Sequence, residues 1–223
     1  MPDGSLSLPA RLYLLAWDTG RMRVTGTAHL HHLVRAGALT ELAQRGLLVD
    51  DDGVATPVDL DARTGDAVLD GLLDLVRESR PRRWKTWVTL RARSTLVAVR
   101  EQLAAEGFLR AERRRVLGVF PSVEYRPERA AVVDALREEA RRVLQGPLPV
   151  AEVSDRDAAV VALAAAAGLR TLVPGRERRR HKERIEALTE RSGAAAPALR
   201  RVVREVRMAM AAAAASASAP AGT

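Results

Sequence analysis

The sequence contains no cysteine. A disulfide frame, a thiolate nucleophile and Cys-ligated zinc are therefore all excluded. It also lacks a long apolar run: the longest, Ala158 to Leu169, is Ala-rich and too short to span a bilayer. The first residues, Met1 to Pro9, do not show the basic-then-apolar pattern of a secretion signal. A cytoplasmic protein is expected, with any membrane contact peripheral. The short signatures of catalysis are missing too, among them Gly-x-Gly-x-x-Gly, a phosphate loop ending in Gly-Lys-Ser/Thr, Gly-x-Ser-x-Gly and His-Glu-x-x-His. No enzyme activity and no cofactor are expected. Lysine occurs only at Lys85 and Lys182, asparagine is absent and isoleucine occurs once, the bias of a GC-rich coding sequence.

Arginine takes the place of the missing lysine. The 223-residue chain carries a formal net charge of +8, almost all of its positive charge on guanidinium groups. Their planar, multi-donor fork matches phosphate better than an ammonium point charge does. Phosphate-bearing partners, lipid headgroups or nucleic acid, follow from that composition. With 47% hydrophobic residues the chain is long enough to bury one sizeable core.

Hydrophobic spacing predicts mostly helices. Ser7-Leu8-Pro9 opens a first helix through Leu12 and Leu15, which ends at a turn over Asp18-Thr19-Gly20. A second runs from about His29 to Gln44 and stops at Gly46. Residues 47–58 then read as a short hairpin around Asp50-Asp51-Asp52-Gly53. The pattern Leu-Ala-x-x-Gly-apolar-Leu at Leu42 to Leu48 recurs at Leu103 to Leu109. Each copy is a helix followed by a hairpin, the local build of a winged helix, although the repeat is too short to establish duplication. For the second hairpin a polar turn is expected at Glu112 to Arg115 and an apolar strand at Val116 to Phe120. Thr64-Gly65-Asp66 caps a helix carrying Val68, Leu69, Leu72, Leu73 and Val76. A turn-rich linker (Pro121 to Pro127) precedes a helix through Val132 and Leu144, broken at Gly146-Pro147. Asp155 caps a helix, about Arg156 to Ala167, that is apolar nearly all round and so belongs at the centre of a bundle. Helices over Arg176 to Arg191 and Pro197 to about Ala213 complete the expected fold: mainly α, a compact helical bundle decorated with short β-hairpins. The expected organisation is a flexible N-terminus (1–7), a single helical domain (8–210) and an Ala-rich tail (211–223).

Three polar runs compete as binding surfaces. His29, His31 and His32 have no evident carboxylate to complete a metal site, so a surface or interface role is favoured over metal binding. In Arg80 to Trp87, tryptophan among guanidinium groups suits a membrane interface or base stacking. Trp87 is assigned to the core and Trp84 to the surface. The run Arg176 to Arg184 has interleaved glutamates and reads as a solvated, ion-paired helix face.

The segment Thr64-Gly65-Asp66-x-x-Leu69-Asp70-x-x-Leu73-x-x-Val76-x-Glu78-Ser79-x-Pro81, followed by Trp87, resembles the central signature of the Golgi phosphoprotein 3 family. Arg35 to Gly46, Leu12 to Asp18 and Glu106 to Leu109 are similar to its flanking elements, in the expected order. The resemblance covers roughly Leu8 to Arg191 and, with this composition, points to a bacterial member. It implies a non-enzymatic helical domain that binds phosphatidylinositol 4-phosphate on a basic face and grips cytoplasmic tails of membrane enzymes such as glycosyltransferases. Arg35 matches the family's lipid-site arginine, while its aromatic falls at Gly26 and its later arginine pair at Arg93 and Leu96. The expected headgroup residues are therefore Arg35 and Arg93, with Arg91, Arg82 and Trp84 as neighbours. The resemblance also implies a hairpin for membrane contact or homo-oligomer formation, carried here by Arg114, Arg115, Val116 and Leu117. The alternative is a winged-helix-like nucleic-acid binder. It is disfavoured because the helices before Gly46 and Gly107 present few arginines to a groove.

Overall fold

The computed structural model describes residues 6–26, 28–116, 120–195 and 202–208. The described residues are mainly helical, with a few short antiparallel strand pairs. Helix α1 (Leu8–Leu15) begins with proline in its first turn. It leads into a two-residue hairpin, β1 (Trp17–Asp18) and β2 (Arg23–Val24), which pairs Trp17 with Val24 and Asp18 with Arg23. Helix α2 (Leu30–Gln44) packs against α1, and Gly37 makes this possible. A Cβ there would lie 2.6 Å from Leu12 Cδ1 and 3.2 Å from Pro9 Cα.

The repeated helix-to-hairpin junction is real geometry. After α2, Gly46 sits at φ +71°, its N–H donates to Ala43 O and the Leu47 N–H to Leu42 O. After α5 (Ala92–Ala105), Gly107 sits at φ +73°, its N–H donates to Ala104 O and the Phe108 N–H to Leu103 O. Both are left-handed helix stops in which the last carbonyls find donors. The first leads into β3 (Leu48–Asp51) and β4 (Val54–Pro57), extended by β5 (Arg82–Arg83) into a three-stranded sheet. The second leads into β6 (Leu109–Val116) and β7 (Phe120–Pro127).

That second hairpin is longer than expected. The polar turn placed at Glu112 to Arg115 is strand, with Glu112 facing Glu124 and Arg113 facing Val123, and the linker placed at Pro121 to Pro127 is its partner. Two ion pairs cross the hairpin, Arg126 to Glu112 at 3.8 Å and Arg110 to Glu128 at 3.1 Å, while Arg126 also meets Glu124 of its own strand at 3.2 Å. Arg114, Arg115 and Val116 therefore lie on β6 and not at a tip, while Leu117 is outside the described residues.

Helix α3 (Ala67–Arg77) is capped as its sequence requires, Asp66 accepting from the Val68 and Leu69 N–H groups. A short helix, α4 (Trp84–Thr89), precedes α5, and α6 (Ala130–Gln145) follows β7. Helix α7 (Asp155–Ala166) is capped by Ser154, one residue before the expected cap, with Ser154 Oγ accepting from the Asp157 N–H. Residues 158–167 are buried on every side, and α7 contacts α1, α2, α6 and α9 (Lys182–Ala195). The basic helix expected over Arg176 to Arg191 is broken at His181 into α8 (Gly175–Arg180) and α9. Residues 202–208 are helical; the rest of the expected Pro197 to Ala213 helix lies outside the described residues.

Candidate anion-binding site

Arg35 is the one fully buried arginine among the described residues, with only 2% of its surface exposed. It rises from α2 into the junction of α4 and α5. There Nε donates to Trp87 O at 2.9 Å and Nη1 to Thr95 Oγ1 at 2.8 Å. No carboxylate pairs with it among the described residues, and burial alone pulls its pKa down to about 10. Its Nη2 is buried and has no hydrogen-bond partner among the described residues. The expectation that Arg35 lies on an open basic face is corrected: its guanidinium sits beneath the surface, held by a carbonyl and a hydroxyl.

Above it opens a cavity of about 380 Å³ between α3 and the start of α5, which Arg35 lines together with Arg91, Ser94 and Thr95. Helix α5 begins without a side-chain cap. Arg91, its N-cap, is in the left-handed region at φ +52°, and no acidic residue occupies the first turn. Two arginines, Arg91 and Arg93, thus flank the positive end of a helix, where the free amides and the macrodipole favour negative charge. The opposite wall carries Asp74 and Glu78. Asp74 is already engaged by Arg63 at 2.6 Å and Arg77 at 3.4 Å.

On its other side Arg93 faces the first turn of α2. The His31 and His32 rings lie with centroids 4.0 Å apart, their planes tilted by 45°. Partial burial, then the neighbouring His32, Arg93 and His29, pull the His31 pKa down to about 4; His32 is lowered by burial, His29 and Arg93. The cluster is a set of positive or protonatable groups with no compensating acid among their resolved electrostatic neighbours. No group of three or more His, Asp or Glu among the described residues is arranged to hold a metal ion.

A family model described as Golgi phosphoprotein 3 (GPP34) matches residues 8–206. The chain belongs to the Golgi phosphoprotein 3 family. A search of the curated proteins found no match. No helix among the described residues of this Golgi phosphoprotein 3 family member is long and apolar enough to cross a membrane.

The residues singled out from sequence divide into separate places. Arg35 and Arg91 share the α3–α5 cavity, whereas Arg93 does not line it and acts electrostatically on His31 and His32. Arg82 is exposed on β5, opposite Ala55. Trp84 is not exposed: it is 1% accessible, because its indole Nε1–H reaches Asp50 Oδ1 at 2.8 Å and its ring joins the core beside Trp87. Neither Arg82 nor Trp84 lines the cavity. The histidines are the contributors that sequence reasoning set aside. Their signal was the spacing His29-x-His31-His32 one turn before Arg35, read without knowing that Arg93 would arrive from α5.

Proposed function

We propose that this protein is a non-catalytic peripheral membrane adaptor that holds an anionic phospholipid headgroup, of the phosphatidylinositol 4-phosphate kind, at the start of α5. Arg91 and Arg93 receive the phosphate, the uncapped amides of α5 face it, and the histidine turn closes one side. The reading rests above all on one observation: a buried guanidinium with an unmatched Nη2 beneath a cavity whose rim is an uncapped, arginine-flanked helix start. A bound phosphate stabilises the protonated forms of the histidines that burial and Arg93 disfavour, which gives the site a reason to prefer anions. The β6–β7 hairpin is proposed to serve self-association, and membrane-enzyme tails are the proposed clients.

Co-sedimentation of the full chain with vesicles of phosphatidylcholine, alone or carrying phosphatidylinositol 4-phosphate or phosphatidylglycerol, tests the reading. Binding to the anionic vesicles alone is expected, weakened about fivefold by Arg93→Ala if one guanidinium contributes about 1 kcal/mol near an anionic leaflet. Equal sedimentation with neutral vesicles, or no effect of Arg91→Ala and Arg93→Ala together, refutes it.

A further inference from the structure

From the geometry of the β1–β2 hairpin we infer that the protein has a second membrane-contact surface, distinct from the headgroup site and resting on the same membrane-docking reading. The hairpin is firmly rooted. Thr25 Oγ1 donates to Ala16 O at 2.9 Å, Thr19 Oγ1 to Asp134 Oδ1 at 2.8 Å on α6, and Arg137 of α6 donates to Trp17 O. What it presents outward is amphipathic. Met22, in the left-handed region at φ +48°, is 45% exposed at the tip between Arg21 and Arg23. Arg21 bonds loosely to Asp18 at 3.4 Å with 71% of its side chain exposed.

Beside the tip lies a groove of about 520 Å³ lined by Arg21, Arg23 and Arg170 together with Thr25 and Thr171, its one carboxylate being that of Asp18, which pairs with Arg21. Its rear wall is fixed by Thr171 Oγ1, which donates to Leu15 O at 2.6 Å. Arg23 and Arg170 are exposed and make no ion pair among the described residues. Pro174 closes the groove, and immediately after it α8 carries exposed Arg176, Arg178, Arg179 and Arg180. At the other end the groove reaches Gly26, three residues before His29 of the headgroup site.

A flexible thioether flanked by guanidinium groups matches the boundary between headgroups and acyl chains. The apolar tip enters there, while the long arginine stems keep their charge among phosphates. Nucleic acid is the poorer occupant, because no aromatic ring lines the groove to stack on bases and an exposed methionine gains nothing against phosphate. The occupant is therefore an anionic bilayer, with Met22 inserted and Arg21, Arg23 and Arg170 on lipid phosphates.

Because the chain has no cysteine, Met22→Cys supplies a single thiol for a polarity-sensitive fluorophore. The labelled full-length protein is mixed with vesicles of phosphatidylcholine and with equal mixtures of phosphatidylcholine and phosphatidylglycerol, and sedimentation is recorded alongside emission. The expected result is co-sedimentation with the anionic vesicles together with a blue shift and a gain in intensity. Arg23→Glu/Arg170→Glu should weaken sedimentation at least tenfold. Co-sedimentation with the label still reporting water overturns the second surface and leaves the headgroup reading standing. No co-sedimentation with any vesicle removes both. A label that responds to duplex DNA and not to vesicles overturns the membrane assignment.

Discussion

Replacing Arg35 separates the protein's architecture from its ligand. In the folded chain its guanidinium makes two hydrogen bonds, to Trp87 O and Thr95 Oγ1, each contributing about 1.5–3 kcal/mol from a charged donor. Against them stands the desolvation of an unpaired cation: the fall of its pKa from the ordinary guanidinium value to about 10 is equivalent to about 3 kcal/mol. The polar balance is therefore small, and the side chain's three methylenes add about 2 kcal/mol of burial at roughly 0.8 kcal/mol each. Arg35→Ala loses that packing and leaves a carbonyl and a hydroxyl unmatched, for an expected loss of about 3–4 kcal/mol. Arg35→Met restores the volume and sheds the buried charge, and should lose only about 1–2 kcal/mol. Urea unfolding followed by circular dichroism measures both, and Arg35→Met combined with Thr95→Val should show a coupling of about 1 kcal/mol or more. Two outcomes refute the reasoning: Arg35→Ala as stable as the parent, or Arg35→Met as damaging as Arg35→Ala.

Gly46→Ala and Gly107→Ala each place a side chain in the left-handed region, and should each cost about 1–2 kcal/mol, additively, in urea melts. Asp66→Ala removes the acceptor for two amides of α3 and for Gln102 Nε2 at 3.0 Å, for an expected loss of about 1–2 kcal/mol in the same assay. His31 holds fewer protons folded, with its pKa near 4, than unfolded, where it is 6.5, so stability should be flat above about pH 7 and fall as pH drops from about 6.5 towards 4. Solvent screening keeps that loss to about 1 kcal/mol, and a combined His31→Gln/His32→Gln variant should flatten the dependence. Anionic vesicles should bind more tightly at pH 5.5 than at pH 7.5 in co-sedimentation, because a phosphate beside these rings favours their protonated forms.

The helices and their stops were legible because their determinants are local. Gly46 and Gly107 each follow an apolar helix and precede an apolar residue, and Asp66 precedes Val68 and Leu69 by the spacing a cap needs. What was not legible depends on partners far along the chain. Trp84 is flanked by basic residues and reads as exposed, yet the acceptor for its N–H is Asp50, 34 residues earlier. Arg35 looks like a surface arginine until Trp87 and Thr95, 52 and 60 residues later, supply its bonds. In β6 the arginines hide the period-two alternation that marks a strand, and the partners of Arg110 and Glu112, Glu128 and Arg126, are supplied only across the hairpin. The site shows the same division: Arg35 and Arg93 could be singled out from sequence, whereas their different depths and the histidines beside Arg93 required the packing of α2 against α5.

Helix α7 also governs the order in which the protein can be made. It reaches the middle of the bundle from a late position, and Gln44 of α2 and Arg11 of α1 bond to its first residues, Asp155 and Asp157. A nascent chain that has emerged only as far as α6 has an empty centre and no hub for its earlier helices to close upon. Closure awaits the exit of residue 166 from the ribosome, so the arginine-bearing surfaces take their final places only after α7 has emerged.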